Sequence, residues 1–286
     1  MMIDQDVLRA VPPRALAAAR AIAHLAVQLP TRAARANLPA AADDSHSNLG
    51  WDSEHSGFLS QPIAAGGTKI HIGATLDPLR LIIVEENQIA AELGLDGRSE
   101  SDASTWLDAQ LGTMRLNPAT GATLPYDMPA DVASIPVFDV KGQQPALAVL
   151  SGWYAMAHEA LTSFATRVAN LSPGPSPVRC WPHHFDIATY VSLEVGDAET
   201  ARGIGVGLSP GDENYDQPYL YINPWPHLDA NALPELPKAG HWHRQGFVGA
   251  IATADAILDN DNLANLAAYI EQTFDIARQQ LLQDNR

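Results

Sequence analysis

Two periodicities alternate along this chain. Residues 14–29 place Ala15, Leu16, Ala19, Ile22, Ala23, Ala26 and Leu29 on one helical stripe, and Pro30 is expected to end that helix. A polar stretch follows at 37–57, after which the period shortens to that of a strand. Runs at 58–63, 69–76, 81–85 and 89–95 read as strands, with turns at Gly66-Gly67 and Glu86-Asn87. The alternation is clearest in 69–76, where Ile70, Ile72, Ala74 and Leu76 share one face and His71, Gly73 and Thr75 the other. Connections this short make neighbouring strands pair antiparallel, as a meander. Residues 101–111 return to helix, with Ser101 or Asp102 as the cap.

Pro118, Pro125, Pro129, Pro136 and Pro145 interrupt the pattern across 117–145, which reads as a linker or a long surface-hugging connection. The strongest helical stripe follows: Leu147, Leu150, Tyr154, Ala157, Leu161, Phe164 and Val168, about six turns long. The proline-rich segment 172–177 stops it. Strand-like runs then recur at 183–194, 201–208, 219–223 and 245–252. A last helix carries Leu263, Leu266, Ala267, Ile270, Phe274, Ala277 and Leu281 on one face, with Asn262 as its expected cap. Helix, four strands and helix thus occur twice. The expected class is α+β, with helices laid against antiparallel sheets, in two similar halves consistent with an old duplication. Their expected bounds are 1–116 and 146–286, joined by 117–145, either as separate domains or as one compact unit.

Charge narrows the partners. Among 286 residues, 33 acidic against 17 basic side chains give a formal net charge of −16. Such a surface repels nucleic-acid phosphates and anionic lipid heads, so neither nucleic acid nor membrane is expected as a partner. There is no apolar run of membrane-spanning length. The lone Cys180 excludes an internal disulfide and a thiolate metal centre, and reads as a buried thiol. Asp4 and Asp6 stand where a secretory leader would be basic, and Arg20 and His24 break the apolar stretch behind them. The cytoplasm is therefore the default location.

Candidate chemistry is concentrated between residues 181 and 243, which hold three of the six Trp, four of the seven Tyr and five of the ten His. Aromatic faces with polar tips can line a small-molecule cleft. Trp181, His183, Tyr219, Tyr221, Trp225 and Trp242 are the expected lining of such a cleft. A second reading takes His184 and Asp186, two apart on one strand face, together with the His241 and His243 pair, as ligands of zinc or divalent iron in a hydrolase or oxygenase. The His-x-His pair lacks the carboxylate that a cupin-type site would add, since Arg244, Gln245 and Gly246 follow it. A third reading makes the aromatics core and the partner a second copy of the chain. No cofactor is expected under the first or third reading.

Other motifs fall short. His158-Glu159 is followed by Thr162 where a zinc-protease helix needs histidine. Gly203, Gly205 and Gly207 lie between strands, which does not suit a dinucleotide loop; they leave one strand face bare for a ring, whether a neighbouring side chain's or a ligand's. Beyond these motifs, the chain resembles a bacterial family of about 300 residues, domain-of-unknown-function family 5996. Phe185-Asp186-Ile187-Ala188, Ser209-Pro210-Gly211-Asp212, Pro218-Tyr219, Tyr221, Pro224 and the final Gly246-Phe247 strand carry the likeness, which spans roughly 50–281. The resemblance implies an order of elements and no activity. His183 and His184 are not part of the pattern.

Overall fold

A computed structural model describes residues 5–196, 200–259 and 263–283. The first stretch of chain forms α1 (Gln5–Arg9), α2 (Ala17–Asn37), β1 (Leu49–Asp52), β2 (Gly57–Ser60), β3 (Ile63–Ala65), β4 (Thr68–Leu76), β5 (Leu79–Glu85) and β6 (Gln88–Gly94). It continues with α3 (Glu100–Thr113), α4 (Ala130–Ala133) and the long α5 (Val140–Arg167). Then come β7 (Gly174–Pro175), β8 (Arg179–Trp181), β9 (Asp186–Ser192), β10 (Gly203–Ser209), β11 (Tyr219–Trp225), β12 (His241–His243) and β13 (Gly249–Thr253). The last elements are α6 (Ala254–Leu258) and α7 (Leu266–Gln283). The class is α+β with antiparallel sheets packed against helices. No helix among the described residues is long and apolar enough to cross a membrane.

The chain divides into two compact units, one of 1–155 with 179–185, the other of 156–178 with 186–286. In the first, strands run in the order β8-β1-β2-β4-β5-β6, with β3 hairpinned onto β4. The turns work as their residues require: Gly66 and Gly67 have φ of 58° and 101°, and Glu86 and Asn87 have φ of 48° and 62°, the left-handed pair of a tight hairpin. Helix α2 packs on β4 and β2. It does not stop at Pro30. Ala33 and Ala34 beyond it are wholly buried, so packing outweighs the roughly 3 kcal/mol that an interior proline costs. The cap of α3 is Ser99, not Ser101 or Asp102. Its hydroxyl accepts from the Asp102 amide, while the Asp102 carboxylate accepts from the Ser99 amide. Within 117–145, Ala119, Val132, Phe138 and Val140 are buried, and Phe138 exchanges backbone hydrogen bonds with Gly97 and Arg98.

In the second unit the order is β12-β13-β11-β10-β9, with β7 on β9. The face bearing Ile187, Val191, Ile204, Val206, Leu208, Leu220 and Ile222 is fully buried, and α7 packs on β10 and β11. The α7 stripe is Leu266, Tyr269, Ile270, Thr273, Phe274, Ala277 and Leu281; Leu263 precedes the helix and Ala267 faces water. The expected cap Asn262 lies outside the described residues. Phe164 of α5 meets Phe274 edge-on at 5.0 Å, and Arg167 bridges Glu271 and Asp275 at 2.9 and 3.2 Å. The described strands number thirteen against the eight expected; those missed, among them β1, β7, β8 and β12, are two to four residues long and too short to show a period.

Candidate functional site

The expected strand 183–194 begins only at Asp186. Residues 182–185 form a turn instead. Pro182 has no amide to donate, and the amides of His184 and Phe185 both turn back to the Trp181 carbonyl, at 3.2 and 2.8 Å. Phe185 closes the turn at φ 57°, a conformation costly for a side chain of its size. Three contacts hold it there. The ring is wholly buried, it stacks on His24 at 5.2 Å and 8°, and its carbonyl accepts from the Tyr154 hydroxyl. The sharing of one strand face by His184 and Asp186 is thereby lost.

Beneath this turn lies a buried polar network of the first unit. His24 Nε2 donates to the Pro182 carbonyl at 2.8 Å. Gln28 donates to the same carbonyl at 2.9 Å and to the His24 carbonyl at 3.1 Å, and accepts from the Tyr126 hydroxyl at 2.8 Å. Burial pushes the His24 imidazole down to about 4, so it is neutral at physiological pH. His183 is held at about 4 as well, by burial and then by His184, whose ring centroid is 4.1 Å away. Burial also raises the Tyr126 phenol. His24 and Gln28 fix the turn through the Pro182 carbonyl, and Tyr126 fixes Gln28. Cys180 is fully buried in β8.

The second unit arranges its rings differently. Register aligns Ala188, Gly207, Tyr221, Ile251 and His241 in one row across β9, β10, β11, β13 and β12. Alternation then puts Asp186, Tyr190, Gly203, Gly205, Ser209, Tyr219, Asn223 and His243 on that same face, opposite the helices. The bare glycines serve protein rings. A Cβ at Gly203 would sit 2.2 Å from the Tyr190 hydroxyl, and one at Gly207 2.5 Å from that of Tyr221. At Gly205 the nearest atoms are 3.8 Å away. The face keeps contact with water: Tyr190 is 40% and Trp225 37% exposed, and Tyr221 and Asn223 are half-buried.

Hydrogen bonds tie this face together. The Tyr221 hydroxyl donates to Asp186, and the Tyr219 hydroxyl to Asp212 at 2.6 Å. Asp212 spends its other oxygen on the amides of Asn214 and Tyr215, at 2.8 and 3.1 Å, which sets the loop carrying Tyr215. The Tyr215 ring lies 4.9 Å from that of Tyr219, and its hydroxyl is 3.0 Å from both His241 Nε2 and His243 Nδ1. His243 stacks on Phe247 at 4.2 Å and donates from Nε2 to the Gln245 carbonyl. Burial, and then Asp212, raises the Tyr215 phenol; burial, and then His243, lowers the exposed His241. Burial and the bond to Asp212 raise Tyr219 strongly. Both tyrosines therefore stay protonated at neutral pH.

The expected lining residues separate accordingly. Tyr219 and Tyr221 come together, with ring centroids 6.4 Å apart. Trp225 lies at the far end of the same strand, edge-on to His227 at 5.1 Å. Trp242 pairs with Ala250 and so projects to the opposite face, where its indole donates to the Pro234 carbonyl at 2.7 Å. Trp181 and His183, 6.2 Å apart, belong to the first unit. The joint metal set does not form in the second unit: β13, β11 and β10 lie between His241–His243 and Asp186, roughly 19 Å at sheet spacing. Among the described residues no three His, Cys, Asp or Glu side chains group as a metal site needs. Tyr215 and the second role of Asp212 were missed in the sequence, because Tyr215 sits in a loop with no period. A separate groove of about 230 Å³ in the first unit, lined by Asp52, Gln61, His71 and Arg179 among others, takes in none of the expected residues.

No family model, curated protein or solved structure matches this chain.

Proposed function

We propose that this protein binds a small organic molecule on the glycine-striped face of its second unit, against Tyr215, Tyr221, His241 and His243, with Tyr219 buried beside them. The observation that carries the reading is the junction at the Tyr215 hydroxyl, where two imidazoles and a phenol meet beside two further tyrosines. Rings supply flat apolar contact, and the hydroxyls and imidazoles orient a polar ligand. Asp186 and Asp212 stand behind the phenols, so the face favours an uncharged or cationic molecule over an anion. Residues behind the family resemblance, Ser209 to Asp212, Tyr219 and Tyr221, build this same face.

Choline, p-cresol and methyl phosphate, each with carbon-bound protons to observe, serve as probes. Saturation-transfer NMR is expected to detect choline or p-cresol on the wild-type protein, with at least a fivefold weaker signal for the Tyr215→Ala variant. Methyl phosphate is expected to give none. Equal signals in wild type and variant, or binding of methyl phosphate alone, would remove the proposal.

A further inference from the structure

The hydrogen bonds around Tyr215 can be assigned a direction. The Gln245 carbonyl can only accept, so His243 carries its proton on Nε2. In a neutral imidazole this leaves Nδ1 as an acceptor, and the hydroxyl 3.0 Å from it must be the donor. The Tyr215 oxygen has then given its only proton to His243, so toward His241 it accepts. His241 Nε2, also 3.0 Å away, therefore carries a proton. One order satisfies every contact: His241 Nε2–H to Tyr215 Oη–H to His243 Nδ1, and His243 Nε2–H to Gln245. It leaves Nδ1 of the exposed His241 as an unprotonated nitrogen.

We infer that His241, Tyr215 and His243 form a proton relay that makes His241 Nδ1 a general base toward a hydroxyl group of a bound small molecule. In the step, the O–H bond of that hydroxyl breaks and its proton joins His241 Nδ1. The His241 Nε2 proton passes to Tyr215 Oη, and the Tyr215 hydroxyl proton passes to His243 Nδ1. His241 and Tyr215 end neutral, the substrate oxygen is left as the nucleophile, and the positive charge rests on His243. That imidazole is placed to hold it, with the Gln245 carbonyl on Nε2 and the Phe247 ring stacked 4.2 Å away. The other titratable groups on the cluster are Asp212 and Tyr219, both against Tyr215. Asp212 keeps the phenol protonated and favours the cationic product state. The lowered basicity of His241 keeps it neutral and ready to accept near pH 7.

The relay concerns the same face as the proposed binding surface, but its test needs no ligand, so the two can fail separately. Two-bond nitrogen–proton correlation spectra of the histidine rings are recorded from pH 8 to 4 on the whole protein. Expected at pH 8 are Nε2–H forms of both His241 and His243. On acidification both rings should respond with one shared midpoint, and His241 should shift its proton to Nδ1. Y215F, checked for an unchanged backbone spectrum, should uncouple them into midpoints at least half a pH unit apart. H243Q should leave His241 titrating alone as a simple imidazole, with no tautomer shift. A proton on His243 Nδ1 at pH 8, or independent midpoints in the wild type, would overturn the relay. So would stoichiometric uptake of zinc that moves both rings at micromolar metal.

Discussion

The two units each hold a histidine cluster, and the clusters are built in opposite ways. In the first, His24 is 5% exposed and its Nε2 proton is committed to the Pro182 carbonyl, alongside Gln28 and Tyr126. In the second, His241 is exposed and bonded through a phenol that can both give and take a proton. A carbonyl partner locks an imidazole in one tautomer; a hydroxyl partner permits two. Hydrogen-bond partner and burial, more than residue type, divide imidazoles that hold a turn from imidazoles available for chemistry.

If that contrast is right, acid should strike the first unit hardest. Folded His24 stays neutral down to about pH 4, while the unfolded chain takes up its proton near 6.5. Its contribution is full above pH 6.5 and drains as pH falls toward 4, by about 3 kcal/mol. Urea titrations across that window should show it, and His24→Gln, which keeps a donor without a titratable group, should flatten the curve by close to one proton. An unchanged slope would mean that His24 is already charged in the fold.

Gln28→Leu comes next. Wholly buried Gln28 makes three hydrogen bonds, and its loss strands the Tyr126 hydroxyl and one lone pair of the Pro182 carbonyl. A stability loss of about 2 to 3 kcal/mol by denaturant unfolding is expected, with probe binding at the second unit retained. Gly207→Ala tests the other side. Its Cβ would fall 2.5 Å from the Tyr221 hydroxyl and 2.8 Å from Ala188 Cβ, so a cost of about 1 to 2 kcal/mol and a displaced Tyr221 ring signal are expected. Smallest of all should be Tyr215→Phe, within about 0.5 kcal/mol of wild type in the same measurement, because its partners reach water. A large loss there would make the cluster structural.

The sequence carried the packing better than the site. Alternation and stripes placed β4, β5, β10 and the α5 core, because burial repeats over several turns or residues. Pro30 misled, since a proline's cost is local while the burial of Ala33 and Ala34 beyond it depends on the tertiary fold. His183 and His184 misled for another reason. Their strand reading required a regular backbone, and Pro182 with left-handed Phe185 replaces it by a turn. Trp242 was expected beside the tyrosines, yet its parity against His241 and His243 puts it on the other face. Tyr215 had no legible signal, since only the Asp212 turn and the sheet register bring a loop hydroxyl between those two imidazoles.

The most direct test is side-chain chemical-shift mapping of the tyrosine and histidine rings as choline or p-cresol is added to the intact protein. Shifts confined to Tyr215, Tyr219, Tyr221, His241 and His243, with His24 and His183 unmoved, are the predicted result. Shifts centred on His183 and His184, with the second unit silent, would contradict it.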